Sequence, residues 1–262
     1  MTTSPIGSGR RVLGIVATAA CAALALAFAA TLLTGGSTVS ADLLRAAGTT
    51  SAASSASPTS STSSTSASPT PSPAARPTRF TWTVSRVSAK YLGKSWHAGC
   101  PVGPRTLRHV AFTYWGFDGE RHRGVLVLHH SVVKRTRTVF RTLYQERFPM
   151  RSVRPVSYYG GSDDRSMAAD NTSAFNCRKA VAAGAPSWSL HAYGKAIDVN
   201  PVENPYLFDG RVLPPNGKGY VSRKKARPGL IRRGDPVYDA FRAAGYRWGG
   251  SFSSPDYQHF DR

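Results

Sequence analysis

The sequence predicts an α+β domain, a small and mainly antiparallel sheet flanked by helices, and three observations carry that prediction. The run GVLVLHH, residues 124–130, has the length and the aliphatic character of a buried strand. Two helices are signalled, one at residues 131–146 and one after Asp235. No stretch alternates strand and helix regularly enough for a parallel sheet, and no repeat is visible.

In chain order, residues 1–41 read as an export signal. Arg10 and Arg11 precede an almost unbroken apolar run from Val12 to Leu33. That run approaches the ~20 residues that span a bilayer. Release at the small-residue sequence Val39-Ser40-Ala41 and retention as a membrane anchor are therefore both open, and Cys21 reads as an ordinary signal residue. The arginines ahead of the run place the rest of the chain outside the cytoplasm. Residues 42–78 form a spacer in which every position from Thr49 to Ala75 is Ser, Thr, Ala or Pro. Such a tract cannot bury enough apolar surface to order itself, and it reaches roughly 30 Å as a coil or roughly 80 Å in polyproline II.

Residues 79–262 have the length of one catalytic domain. The helix at 131–146 places Val132, Val133, Val139, Phe140, Leu143 and Tyr144 near one face. The second helix has Asp235 as its cap, Pro236 in its first turn, and Val237 and Phe241 four apart, with Gly245 as its stop. Between them, residues 204–234 read as a Gly- and Pro-rich surface excursion. Cys100 and Cys177, in an exported chain, read as one disulfide rather than as a nucleophile or ligand.

The chain carries 34 Lys and Arg against 14 Asp and Glu, a formal charge of +20. A surplus of this size points to anionic surroundings. The export signal excludes nucleic acid and leaves anionic cell-wall polymers, with the membrane reached only through an N-terminal anchor. The scattered cations, including Lys195 and Arg223-Lys224-Lys225, read first as solvated.

Chemistry concentrates in two blocks. SWSLHAYGKAIDVNP, residues 187–201, holds His191 and Asp198 seven positions apart, and the closing WGGSFSSPDYQHFDR holds Asp256 and His259. Alone, His191 reads as a core histidine. Together, two histidines and one aspartate supply the nitrogen and oxygen ligands of a catalytic zinc with a free fourth position, and Asp256 is the carboxylate left to move a proton. His129 and His130 are adjacent on a predicted strand, face opposite ways and are set aside as ligands. Asp163 and Asp164, beside Gly160 and Gly161, read as loop.

The first block resembles the S-x-H-x-x-G-x-A-x-D signature of the zinc D-alanyl-D-alanine carboxypeptidase and L-alanyl-D-glutamate endopeptidase family, whose fold is hedgehog-like. Trp248-Gly249-Gly250 followed by Asp256-Tyr257-Gln258-His259-Phe260 resembles its closing block. The resemblance implies a Zn2+ site of His191, Asp198 and His259, with Asp256 as general base. It also implies an upstream arginine that stabilises the oxyanion; Arg178 is the choice, with Arg165 and Arg151 as alternatives. Ser189 positions His191 or substrate and Tyr193 lines the cleft, unless both are structural. The implied substrate is a peptidoglycan stem peptide, cut as a D-alanyl-D-alanine carboxypeptidase or as an L-alanyl-D-glutamate endopeptidase. A non-catalytic, zinc-containing wall-binding module is the alternative of another class.

Overall fold

A computed structural model gives the structure of residues 77–181 and 186–262. The predicted export signal and nearly all of the spacer lie outside the described residues. Trp82–Arg86 (β1) is followed by a single helical turn, Ala89–Leu92 (α1), which Ser88 caps by accepting from the Tyr91 amide. The predicted strand is the second half of Arg121–His129 (β3), which pairs antiparallel with Leu107–Trp115 (β2). β1 closes the sheet in the order β1-β2-β3. His129 ends β3 and His130 begins a 3-10 turn, so their rings lie 4.4 Å apart rather than on opposite faces, and neither is grouped with His191, Asp198 and His259.

The first predicted helix is Val133–Gln145 (α2), and it buries Val139, Phe140 and Leu143 on one face. Ser152–Val153 (β4) pairs in parallel with Asn171–Thr172 (β5), and Asp163–Ala168 (α3) lies between them in sequence. Ala196–Asp198 (β6) precedes a hairpin of Tyr206–Phe208 (β7) and Arg211–Leu213 (β8). The second predicted helix is Pro236–Ala243 (α4). Asp235 accepts from the Tyr238 amide at 3.1 Å, and Gly245 takes a φ of +81° just past its end. Arg247–Trp248 (β9) and His259–Asp261 (β10) complete a second antiparallel sheet in the order β6-β10-β9. The architecture is α+β with small, mostly antiparallel sheets.

One apolar core joins these layers: Val110, Phe112, Leu126 and Leu128 from the first sheet, the buried face of α2, Phe241 of α4, and Ile197 and Phe260 of the second sheet. Phe260 stacks on Phe241 with ring centroids 3.8 Å apart. Burying a side chain of that size contributes about 1.5–3 kcal/mol. Because successive strand residues face opposite ways, anchoring Phe260 in the core turns His259 and Asp261 together to the other face of β10.

The span 204–234 differs from a surface excursion. Besides the β7–β8 hairpin, it buries Asn204 and Ile231. Asn204 donates to the Gly229 carbonyl at 2.8 Å and accepts from the Ile231 amide at 2.8 Å. Such a polar anchor is invisible to a hydropathy pattern. Arg223 also departs from the solvated reading: it donates to the Glu203 carbonyl at 2.8 Å, lies 4.0 Å over the Tyr257 ring, and is pulled down to about 10 by burial.

Beside this anchor, Glu203 and Asp170 are buried, 2% and 3% exposed. Burial, and then the hydrogen-bonded carboxyl of Asp170, push Glu203 up to about 8. The folded chain therefore keeps a proton on Glu203 that the unfolded chain releases near the ordinary value of 4.5. The stability this proton supports is present in full below that ordinary value and is lost as pH rises through about 8. Glu203→Gln, which holds the neutral form at every pH, is expected to flatten the decline in Tm between pH 5 and pH 9. At about 2–4 °C per kcal/mol for a chain of this size, the difference is several degrees. Melting curves with the same pH slope in both proteins would refute the shared proton.

Candidate metal centre

The register of the second sheet sets the centre. His259 lies directly opposite Asp198 across β10 and β6, the closest side-chain relation a sheet offers. Asp198 Oδ1 is 3.0 Å from His259 Nδ1. The third residue arrives on a 3-10 turn, Leu190–Tyr193, capped by Ser189, whose hydroxyl accepts from the His191 amide at 3.2 Å. Gly194 ends this turn at a φ of +65°, and a Cβ there would meet the His129 amide nitrogen at 2.7 Å, so only glycine fits. His191 Nε2 then lies 3.1 Å from Asp198 Oδ2 and 3.2 Å from His259 Nδ1.

Hydrogen bonding decides what these atoms can hold. His191 Nδ1 faces the Ala174 carbonyl, which only accepts, so Nδ1 carries the proton and Nε2 presents a lone pair. His259 Nε2 faces Asp261 Oδ2 at 3.3 Å, which likewise leaves Nδ1 as the lone pair. With both imidazoles neutral, two lone pairs and a carboxylate converge with no donor among them, and a cation satisfies all three. Carbonyl and carboxylate partners on the far ring nitrogens are the arrangement that orients metal-bound histidines. Without a cation, a proton takes its place. Burial works against charge on His259, but Asp198 and Asp261 overcome it and push the imidazole up to about 10. Burial likewise disfavours charge on Asp198, yet His191 and His259 hold it well below the usual carboxylate range. The residues fit a divalent metal.

Asp256 stands outside the triad. Its Oδ1 is shut off from solvent and has no hydrogen-bond partner among the described residues. Burial first, and then Asp198, push it up to about 6 against the pull of the histidines. The loop before it is held by Gly249, whose carbonyl accepts from the Asp256 amide at 3.0 Å. A Cβ on Gly249 would meet the Asp256 carbonyl oxygen at 2.6 Å, which explains the glycine in the closing block.

Arg178 lines the same cleft, of about 350 Å³, together with Ser189, Asp198, Asp256 and His259. Among the described residues it is the one arginine there. Arg151 instead pairs with Asp170 at 3.5 Å and covers the Phe117 ring, and Arg165 lies outside the lining. Backbone ties run from Arg178 to the metal triad: Ser189 donates to the Arg178 carbonyl at 3.1 Å and Asn176 donates to the His191 carbonyl at 3.2 Å. Cys177, joined to Cys100 in a disulfide with Cα atoms 5.9 Å apart, fixes the same segment from the other side. These sulfurs also lie near His97, but as a disulfide they are not thiolate ligands.

Tyr193 does not line the cleft. It follows His191 by two residues on a turn of three residues per revolution and so faces another way. Three residues that were not singled out in the sequence do contribute. Asp163 and Asp164, read as loop, instead form the first turn of α3, which Ser162 caps, and Asp163 pairs with the Arg178 guanidinium and accepts from Asn176 Nδ2 at 2.8 Å. Asp261 holds His259, and Ala174 holds His191 through its carbonyl. No strand is read around Phe260 in the sequence; alternation about that residue would have placed Asp261 beside His259.

A buried carboxylate and two imidazoles that converge beside an unligated carboxylate and an arginine define a hydrolytic centre of the metallopeptidase class. Residues 183–262, which carry all three converging residues and Asp256, match the family model described as D-alanyl-D-alanine carboxypeptidase. No curated protein and no solved structure matches the chain significantly.

Proposed function

We propose that the chain is an exported zinc peptidase that hydrolyses an amide bond in the peptidoglycan stem peptide, with removal of a terminal D-alanine as its reaction. The observation that carries this reading is the convergence of His191 Nε2, Asp198 and His259 Nδ1 to within 3.0–3.2 Å of one another beside Asp256, whose Oδ1 is shut off from solvent. Tetrahedral zinc with nitrogen and oxygen bonds of about 2.0–2.2 Å places its ligand atoms about 3.3–3.6 Å apart, so these donors need to spread by only a few tenths of an ångström to hold it. A zinc ion held there supplies a Lewis acid that polarises the scissile carbonyl and makes the attacking water more acidic.

The chain's own residues do the rest. Asp256, with its proton affinity raised towards neutrality, takes a proton from the attacking water at a carboxylate oxygen and returns it to the departing amine. Arg178, fixed by Asp163 and by its backbone ties to Ser189, presents a guanidinium to the charge that develops on the carbonyl oxygen. Ser189 holds the turn that carries His191. The arginine-led apolar segment supports export, the spacer gives reach from a membrane, and the charge of +20 favours residence in an anionic wall.

Digestion of purified muropeptides followed by mass spectrometry tests the reading. Loss of one alanine residue is the expected result. A split between L-alanine and D-glutamate would move the reaction to the endopeptidase class, and unchanged muropeptides with metal-loaded protein would remove the catalytic reading.

A further inference from the structure

A second pocket, of about 330 Å³, adjoins the cleft, and Phe252 lines both. The Phe252 ring lies 6.2 Å from the His259 ring on one side and 6.0 Å from the Arg247 guanidinium on the other. One aromatic ring thus separates the metal centre from a pocket walled by Tyr238 and Trp248 and lined by Arg233, Arg242 and Arg247. No carboxylate lines it.

The three arginines are not equivalent. Arg247 is neutralised by a two-point pair with Asp261 at 2.8 and 2.9 Å, and through it braces His259. Arg233 donates only to the Ser251 hydroxyl at 2.8 Å and the Tyr238 hydroxyl at 3.4 Å, and Arg242 only to the Tyr246 carbonyl at 3.0 Å. Both are held in place by neutral acceptors, in no ion pair among the described residues. Each guanidinium has five N–H donors, so several remain for an anion, and a bond from guanidinium to carboxylate is charge-assisted.

We infer that Arg233 and Arg242 form a carboxylate subsite for the same substrate, taking a side-chain or branch carboxylate of the peptide no more than about four residues from the scissile amide. The spacing follows from the 6.2 Å between the His259 and Phe252 rings and the 6.0 Å from Phe252 to the Arg247 guanidinium in the pocket wall, together three to four extended residues at most at about 3.4 Å each. The inference rests on the peptidase reading and narrows its substrate class to acidic peptides with a free carboxylate at that position.

The test uses two peptides identical except for a carboxylate or a carboxamide at that position. Binding is measured by calorimetry on metal-loaded Asp256→Asn protein and hydrolysis on the wild type, with and without Arg233→Ala/Arg242→Ala. Both arginines are exposed, and a melting curve checks that the double variant folds. The expected result is binding about fivefold or more tighter for the carboxylate peptide, collapsing to within about twofold in the double variant, with KM rising and kcat for the carboxamide peptide unchanged. Equal binding of the two peptides by the wild type, a preference that survives the double substitution, or no binding of either peptide overturns the subsite. A preference that depends on the arginines without any hydrolysis supports the subsite and overturns the peptidase reading instead.

Discussion

Asp256→Asn is expected to retain its metal and to lose hydrolysis by roughly 10²–10⁴-fold. The substitution keeps shape and volume and removes only the ability to take a proton. The backbone that positions residue 256 is held independently, through the Gly249 carbonyl and the bridge between Tyr206 and Asp256, so the cleft stays in place. A carboxylate whose Oδ1 is shut off from solvent without a partner costs more folding free energy than a neutral amide in the same place. Tm of the variant should therefore equal or exceed that of the wild type. A protein that is at least as stable, carries a full complement of metal and is inactive is the signature of a proton-transfer residue. Near-normal turnover with metal bound would assign the proton to another group.

His191→Ala is expected to abolish metal binding, leaving less than about a tenth of an equivalent after dialysis. The side chain is 2% exposed and supplies one of three converging ligand atoms. Its loss leaves Asp198 and His259 facing each other across two strands, a pair that holds a proton but has too few ligands for a catalytic zinc. In the wild type, metal that binds only the folded chain raises Tm in proportion to the logarithm of its concentration over its dissociation constant. In the variant that rise should vanish. An equivalent of metal in the variant, or an unchanged rise in Tm, would remove His191 from the centre.

Legibility in the sequence followed the range of the interactions. The α4 helix could be read because its cap, its first-turn proline and its terminal glycine lie within eleven residues, and β3 because it is a continuous apolar run. β4, β5 and β9 are two residues each, too short for any periodicity to register. The metal triad could be read because two short blocks carry all its members, although the cross-strand pairing of His259 with Asp198 emerges only once the sheet forms. Asp163 could not: it reaches Arg178 through the tertiary fold, and a carboxylate beside two glycines looks like loop in any sequence. Asn204 and the Glu203–Asp170 pair were hidden for a similar reason, since hydropathy treats a satisfied internal polar residue and a solvated one alike.

The central claim is that His191, Asp198 and His259 hold one zinc ion as a group. Diffraction from crystals of the purified chain, recorded on either side of the zinc absorption edge, tests it most directly. One anomalous peak is expected, about 2.0–2.2 Å from His191 Nε2, an Asp198 carboxylate oxygen and His259 Nδ1. A peak bound by other residues, or no peak at these three atoms in crystals grown with zinc, would contradict it.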